Sequence, residues 1–230
     1  MSDFFSTLAS RARKEQFSID PEVPRSYLLG FFCGKLIDLL RGIFVFRRPN
    51  ARIFVGKGTS ILCPSKIRSG RFIKFSSGCY VDALSRDGIS VGNNFSLGRG
   101  ASIECTGSLA TLGKGFSAGN NVGIGSFSFL GCAGGISIGD DTILGNFVSM
   151  HSENHNFERL DVPIRLQGVT QQGIRIGKNC WIGAKVTILD GAHIGDNTVI
   201  AAGAVVTAGE YDNNAVYGGI PARKLKTLTA

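Results

Sequence analysis

Three histidines occur in the 230-residue chain, and two of them, His151 and His155, lie four residues apart in "SMHSENHNFERLDVP". An imidazole takes up and releases a proton near neutral pH, so it suits the removal of a proton from a hydroxyl that is to attack a carbonyl. A free alcohol is a poor nucleophile until that proton is taken. Either histidine could serve as the base. Carboxylates that could fix an imidazole in one tautomer lie close by, at Glu153, Glu158 and Asp161, and their order along the chain does not choose among them. The third histidine, His193, directly precedes an apolar residue in "DGAHIG", where strand alternation turns it outward. It reads as a surface residue.

The frame that must position such a base is a repeat. From Ile176 the chain divides into "IGKNCW", "IGAKVT", "ILDGAH", "IGDNTV" and "IAAGAV", with aliphatic side chains at Ile176, Ile182, Ile188, Ile194, Ile200 and Val206. Shorter runs of the same period pass through Val91, Leu97 and Ile103, through Leu112, Ala118, Ile124 and Leu130, and through Ile138, Leu144 and Met150. A helix would need apolar residues three and four apart, and an ordinary half-buried strand would need sustained alternation. A period of six fits a short strand followed by a tight turn. Units that small bury their apolar faces only by stacking on one another, so the expected fold is an all-β solenoid. The 32 glycines supply corners with positive φ. The period pauses over residues 151–173, and the pause contains His151 and His155.

The length fits one domain with an appendage: an N-terminal helical segment over 1–60 and a solenoid over 61–226, with a loop at about 151–173. Of the net charge of +8, residues 1–74 hold 14 Lys and Arg against 5 Asp and Glu, leaving 11 against 12 for the rest. A nearly neutral body speaks against nucleic acid. The six cysteines never form a CxxC pair and read as small buried residues, so no metal is expected. The opening "MSDFFSTLASRARKEQF" is too polar for a secretory signal, which makes the cytoplasm the expected location.

In "RSYLLGFFCGKLIDLLRGIFVFRRP" a helical wheel gathers Lys35, Asp38 and Arg41 on one arc, opposite Leu28, Phe32, Leu36, Leu39, Leu40 and Ile43. Three central charges argue against a spanning helix. The segment is expected to cap the apolar end of the solenoid or, with Arg47, Arg48, Arg52 and Lys57, to lie peripherally on anionic lipid at the inner face of the membrane.

The string "NHNF...PI......IRIGKNCWIGAKVTILDGAHIGDNTVIAAGAVVT...VYGGIPARKLK" resembles the hexapeptide-repeat acyltransferases, in their sugar and polysaccharide O-acetyltransferase branch, over roughly residues 60–226. The resemblance implies a left-handed parallel β-helix with a helical cap and a short basic C-terminal tail, assembled as a homotrimer with sites between subunits. It implies transfer of acetyl from acetyl-CoA to a hydroxyl of a saccharide, one of a bacterial surface polysaccharide or its precursor. N-acetylation of an amino-sugar nucleotide is the enzymatic alternative, and a noncatalytic β-helix scaffold is the alternative of another class. By the same resemblance His155 is the general base, His151 and Glu153 line the acceptor pocket or His151 replaces the base, and the backbone N–H of Ala184 holds the oxyanion. Trp181, Ala202, Thr207, Arg223, Lys224 and Lys226 lie along coenzyme A. Two positions depart from the family: Ala208 stands where a lysine often follows "VVT", and "GIGSFSF" (123–129) stands where the sugar enzymes carry an asparagine. The second departure implies an acceptor unlike a simple galactoside or maltose. No residue reads as a nucleophile beside a base, so direct attack is expected.

Overall fold

The computed structural model describes residues 19–229. Two units are distinguished, Met1–Ile37 and Asp38–Ala230. In the larger one the period of six becomes short parallel strands on three walls of a solenoid. The first wall has nine strands, from Ile53–Val55 to Arg223–Thr227; the second and third have seven each, Ser60–Leu62 to Val205–Val206 and Ile67–Ser69 to Gly209–Tyr211. The periodic residues stack in register: Ile124 with Leu144, Ile182 and Ile200 on the first wall, Leu130 with Met150, Ile188 and Val206 on the second, Ile138 with Ile176 and Ile194 on the third. All are buried, Ile182, Ile188, Ile200 and Val206 completely. Each such side chain contributes about 1.5–3 kcal/mol of apolar burial.

The small residue after each apolar one has a steric cause. The carbonyl of Ile182 accepts from Gly145 N–H at 2.8 Å, so one coil rests directly on the next. A Cβ on Gly145 would stand 2.6 Å from the nitrogen of Ala184, and one on Gly183 would stand 2.5 Å from that of Ala202. The edge between the third and first walls keeps this glycine, at Gly139, Gly177 and Gly195, and adds Asn and Asp in the turn. Asn179, Asn197 and Asn214 take left-handed φ of 52–54° there and link amide to amide at 2.9 Å, since a short polar side chain tolerates that conformation.

The structure differs from the sequence reading at several points. The coils begin at Ile53–Val55, paired with Ile73–Phe75, inside the stretch read as the helical segment. Leu112 is not an inward stacking residue: it bridges Gly107 in a small excursion, and Phe116–Ala118 resumes the third wall. The basic tail is a strand, Arg223–Thr227, folded back antiparallel on Ala215–Gly218, which covers the open edge of the first wall. Cys79, Cys105, Cys132 and Cys180 are buried, and burial pushes the thiols of Cys79, Cys132 and Cys180 up, but Cys33 is exposed because it lies on an outer helix face.

The helix spans Arg25–Phe46. Phe46 stacks on Phe75 at 6.1 Å and Gly42 meets the Ile53 carbonyl too closely for any side chain, so the helix end covers the first coil. The broad apolar face divides. Leu28, Phe32, Leu39 and Ile43 are partly covered, whereas Leu36 and Leu40 are exposed with Leu29 and Phe44. Among the described residues no helix is long and apolar enough to cross a membrane.

Candidate active site

The pause in the repeat is an arm on the edge between the second and third walls. The chain leaves after Ser149–His151 and returns at Ile174–Ile176. Two buried polar side chains pin its roots. Ser152 Oγ donates to Gly131 O at 2.7 Å and accepts from Gly134 N–H at 3.0 Å. The carboxylate of Asp190 accepts from Gln172 N–H at 2.9 Å and from Gly173 N–H at 2.6 Å. Beyond these roots Asn154–His155 pairs antiparallel with Val169–Thr170. Gln167 closes the outer turn, its Nε2 donating to the carbonyls of Arg159 and Val162 at 2.7 Å each. Sequence reasoning missed Ser152, Gln167 and Asp190. The only signal for Asp190 was a charged residue inside the repeat "ILDGAH".

His155 is exposed on the arm, and among the described residues nothing bonds its ring. Two of the three nearby carboxylates are engaged elsewhere: Glu153 accepts from Gln171 Nε2 at 2.6 Å, and Asp161 is paired with Arg159 at 2.7 Å, which holds its carboxyl below the usual range, while Glu158 is exposed. His151 lies on the outer face of the second wall, its Nε2 2.8 Å from Ser149 Oγ and its ring 5.5 Å from that of Phe129. A hydroxyl therefore does stand beside an imidazole, contrary to the sequence reading. The alternation of "SMH" puts both on one strand face and carried the signal. His193 faces outward from the third wall with Nδ1 2.6 Å from Glu210 Oε1, a surface residue as expected.

The edge between the first and second walls has a different character. On the edge between the third and first walls, side chains of the next coil claim the turn N–H groups: Asp196 Oδ1 accepts from Lys178 at 2.7 Å and Asn213 Oδ1 from Asp196 at 2.7 Å. On the first–second edge Asn146 Oδ1 does this for Ser126 N–H at 2.8 Å. That cap stands alone on its edge: among the described residues the turn N–H groups of Lys57, Ser77, Arg99, Asn146, Ala184 and Ala202 have no acceptor. Ala184 and Ala202 are exposed. A fixed, unclaimed N–H is what a developing oxyanion requires.

Trp181 is 56% exposed on the outer first wall, in register with Ile143, itself 54% exposed, and with Val199. This apolar row continues through Val216 to Lys226 on the last strand. Arg223, Lys224 and Lys226 are exposed there. Lys224 Nζ meets Asp212 Oδ2 at 3.0 Å, which pulls the Asp212 carboxyl down and the ammonium up. An exposed pair of this kind is weak, and a phosphate can displace it. Thr207 lies on the second–third edge, its N–H and carbonyl both tied to the Tyr211 hydroxyl at 3.1 Å. His155 thus belongs to one edge and Ala184 and Ala202 to another. Among the described residues no hydrogen bond, ion pair or ring contact links the arm (154–170) to those alanines or to the last strand.

Residues 173–208 match the family described as bacterial transferase hexapeptide (six repeats). The chain is 30% identical over 168 residues to WbbJ of Escherichia coli (strain K12), provisionally named an O-acetyl transferase of lipopolysaccharide biosynthesis, and covers 80% of WbbJ with 69% of itself. It is 34% identical over 94 residues to the galactoside O-acetyltransferase of the same organism, covering 44% of that enzyme and 40% of itself. Matches to relatives in Mycobacterium tuberculosis and Saccharomyces cerevisiae cover 30% and 36% of those proteins, so the chain spans less than half of most of these curated relatives. The D94N mutant of AntD, an N-acyltransferase from Bacillus cereus solved with dTDP and coenzyme A, superposes with a TM-score of 0.56 at 20% identity, over 77% of this chain and 82% of AntD. That likeness is one of fold.

Ala202 occupies the position from which Asn146 reaches Ser126 in an earlier coil. Ala202→Asn is therefore expected to cap the Ala184 N–H, slow its amide exchange and stabilise the chain by about 1 kcal/mol. Hydrogen exchange and denaturant unfolding measure both; unchanged exchange at Ala184 would show that the N–H was not free.

Proposed function

The chain belongs to the hexapeptide-repeat acyltransferases, and from that membership we propose that it transfers acetyl from acetyl-CoA to a hydroxyl of a saccharide, one belonging to a bacterial surface polysaccharide or its precursor. The carrying observation is the run of unclaimed N–H groups at Ala184 and Ala202 in a chain whose arm exposes His155. In this reading the solenoid winds left-handed, as its family does, and the coils with their arm form the catalytic domain behind the helical segment.

The chemistry follows from the groups. His155 takes the proton of the acceptor hydroxyl as the oxygen attacks the thioester carbonyl. The tetrahedral oxyanion accepts from Ala184 N–H, and its collapse expels the thiolate of coenzyme A, which recovers the proton from the imidazolium. The exposed row of Ile143 and Trp181 suits the pantetheine arm, and Arg223, Lys224 and Lys226 suit the phosphates. Ala208 removes one cation from that end. Glu153 and His151 flank the base on the acceptor side. The Ser149–His151 pair supports a second reading, in which His151 is the base and Ser149 carries the acetyl group in passing. An amine in place of the hydroxyl would use the same base and donor, and NMR of the product distinguishes the two acceptors.

Separate edges for His155 and Ala184 favour a site completed by a second copy, and a cyclic homotrimer would hold three such sites. The arm supports this: Phe157, Leu160, Ile164 and Leu166 are 55–100% exposed and have no core of their own. The outer helix face of Leu29, Leu36, Leu40 and Phe44, followed by Arg47, Arg48 and Arg52, suits an anionic lipid surface at the inner membrane face.

Three outcomes are expected. His155→Ala lowers kcat about a hundredfold or more with an unchanged melting temperature, whereas His151→Ala chiefly raises the acceptor KM and Ser149→Ala leaves kcat near wild type; near-normal turnover by His155→Ala would remove it as the base, and a folded wild type without turnover would favour the scaffold. Co-expression of His155→Ala with Ala184→Pro, each inactive alone, restores about a quarter of the activity if one copy supplies the base and another the edge; no recovery from verified mixed oligomers would place both in one chain. Vesicles containing phosphatidylglycerol sediment the protein at low salt and release it at high salt, and Leu40→Asp with Phe44→Asp abolishes the effect; failure to sediment at low salt contradicts membrane contact.

A further inference from the structure

The edge between the first and second walls turns through one left-handed residue per coil. Glycine fills that position at Gly58, Gly78, Gly100 and Gly203, but two successive coils place Phe127 (φ 58°) and Phe147 (φ 59°) there, and the next places Lys185 (φ 60°). A phenylalanine in this conformation is strained, and glycine would serve the turn better. The strain is not explained by core packing, because the two side chains are 46% and 52% exposed. Their rings stack on each other at 5.3 Å and 16°. The Arg99 guanidinium lies over the Phe127 ring at 5.3 Å, and Gly100 leaves the room, since a Cβ there would stand 2.7 Å from that ring.

This platform has a fixed relation to the unclaimed N–H groups. Phe147 lies one coil before Lys185, whose N–H donates to Asn146 O at 2.9 Å, so the rings end beside Ala184. The donor proposed above extends from Ala184 toward Ala202 and the last strand. The opposite half of the same edge, coil by coil, is Phe147, Phe127 and Arg99. We propose that this aromatic step is the acceptor subsite and that it selects an anionic saccharide: a pyranose ring packs against the exposed flank of the Phe127–Phe147 stack, and Arg99 at one end of the stack meets its carboxylate or phosphate. The proposal rests on the acetyl-transfer reading for the direction of approach. The flank of a ring stack gives an apolar surface for the C–H groups of a sugar, and a guanidinium gives a bidentate fork for an oxyanion.

The strain makes a structural role separable from a binding role. Phe127→Gly with Phe147→Gly relieves two unfavourable turns, so the double variant is expected to melt at or above the wild-type temperature and to bind acetyl-CoA unchanged. Titrations followed by NMR would use a tetrasaccharide of alternating glucuronic acid and N-acetylglucosamine, glucose 1-phosphate, and neutral maltotetraose. The wild type is expected to bind one of the two anionic probes about tenfold more tightly than maltotetraose; which one identifies carboxylate or phosphate as the group at Arg99. The double variant is expected to lose about tenfold for that probe, and Arg99→Gln to lose the preference for anionic probes. Equal affinity for all three probes, binding retained by the double variant, or dissociation of its oligomer in light scattering would each overturn the proposal, the last by making the rings an interface between copies. These titrations do not require turnover. A wild type that binds the anionic probe through the rings but transfers no acetyl would therefore refute the acetyl-transfer reading and leave the platform standing.

Discussion

Everything in the large unit depends on one coil lying directly on the next. Parallel strands about 4.8 Å apart exchange backbone hydrogen bonds along all three walls, and the interior accepts one large side chain per strand position. The register follows from this: Ile182 meets Leu144 on one side and Ile200 on the other. So do the small residues, because the nitrogen of Ala184 occupies the space that a Cβ on Gly145 would need. The position of the Ala184 N–H is therefore set by van der Waals contact from the coil before it. A donor that must be in place before charge develops gains from a position fixed in this way.

The three edges use the same backbone in different ways. The edge of the third and first walls is sealed by Asn and Asp, each claiming the turn N–H of the preceding coil. The edge of the second and third walls is interrupted by the arm, whose two roots are closed by Ser152 and Asp190 so that the ladders resume without a gap. Burying a carboxylate is tolerable only when its oxygens are well supplied with donors, and the two N–H groups from Gln172 and Gly173 meet that need. Among the described residues the remaining edge is capped at Ser126 and left open at its other turns, Asn146, Ala184 and Ala202 included.

The period of six made the solenoid legible because six consecutive aliphatics at one spacing leave few other ways to bury them. It misled at Leu112, which keeps the spacing by coincidence within an excursion, and at Ile53, where the first coil has no earlier coil to establish the rhythm. The exposed position of His155 and the outward turn of His193 could be read from where the rhythm stops and from alternation. The roles of Ser152, Gln167 and Asp190 could not, since each is defined by partners 5 to 21 residues away that only the folded arm brings near. The Ser149–His151 pair lay within reach of alternation and was passed over. Phe127 and Phe147 were hidden for another reason: a left-handed corner is inferred from Gly or Asn, and aromatic residues give no such sign.

The residues that define the open edge depart from the local rule that the other edges follow. Where a cap would be made, Ala202 offers no acceptor; where a glycine would relax the turn, Phe127 and Phe147 hold strained rings in solvent. These are local losses, a forgone hydrogen bond and two unfavourable conformations, which the ring stack and the Arg99 contact offset in part. On this edge they lie in consecutive coils, and Phe72 takes the same conformation on the edge of the third and first walls. In the acetyl-transfer reading proposed above, a thioester carbonyl at one level and a sugar at the next would meet a free donor followed by an apolar ring stack, the order in which this edge presents them.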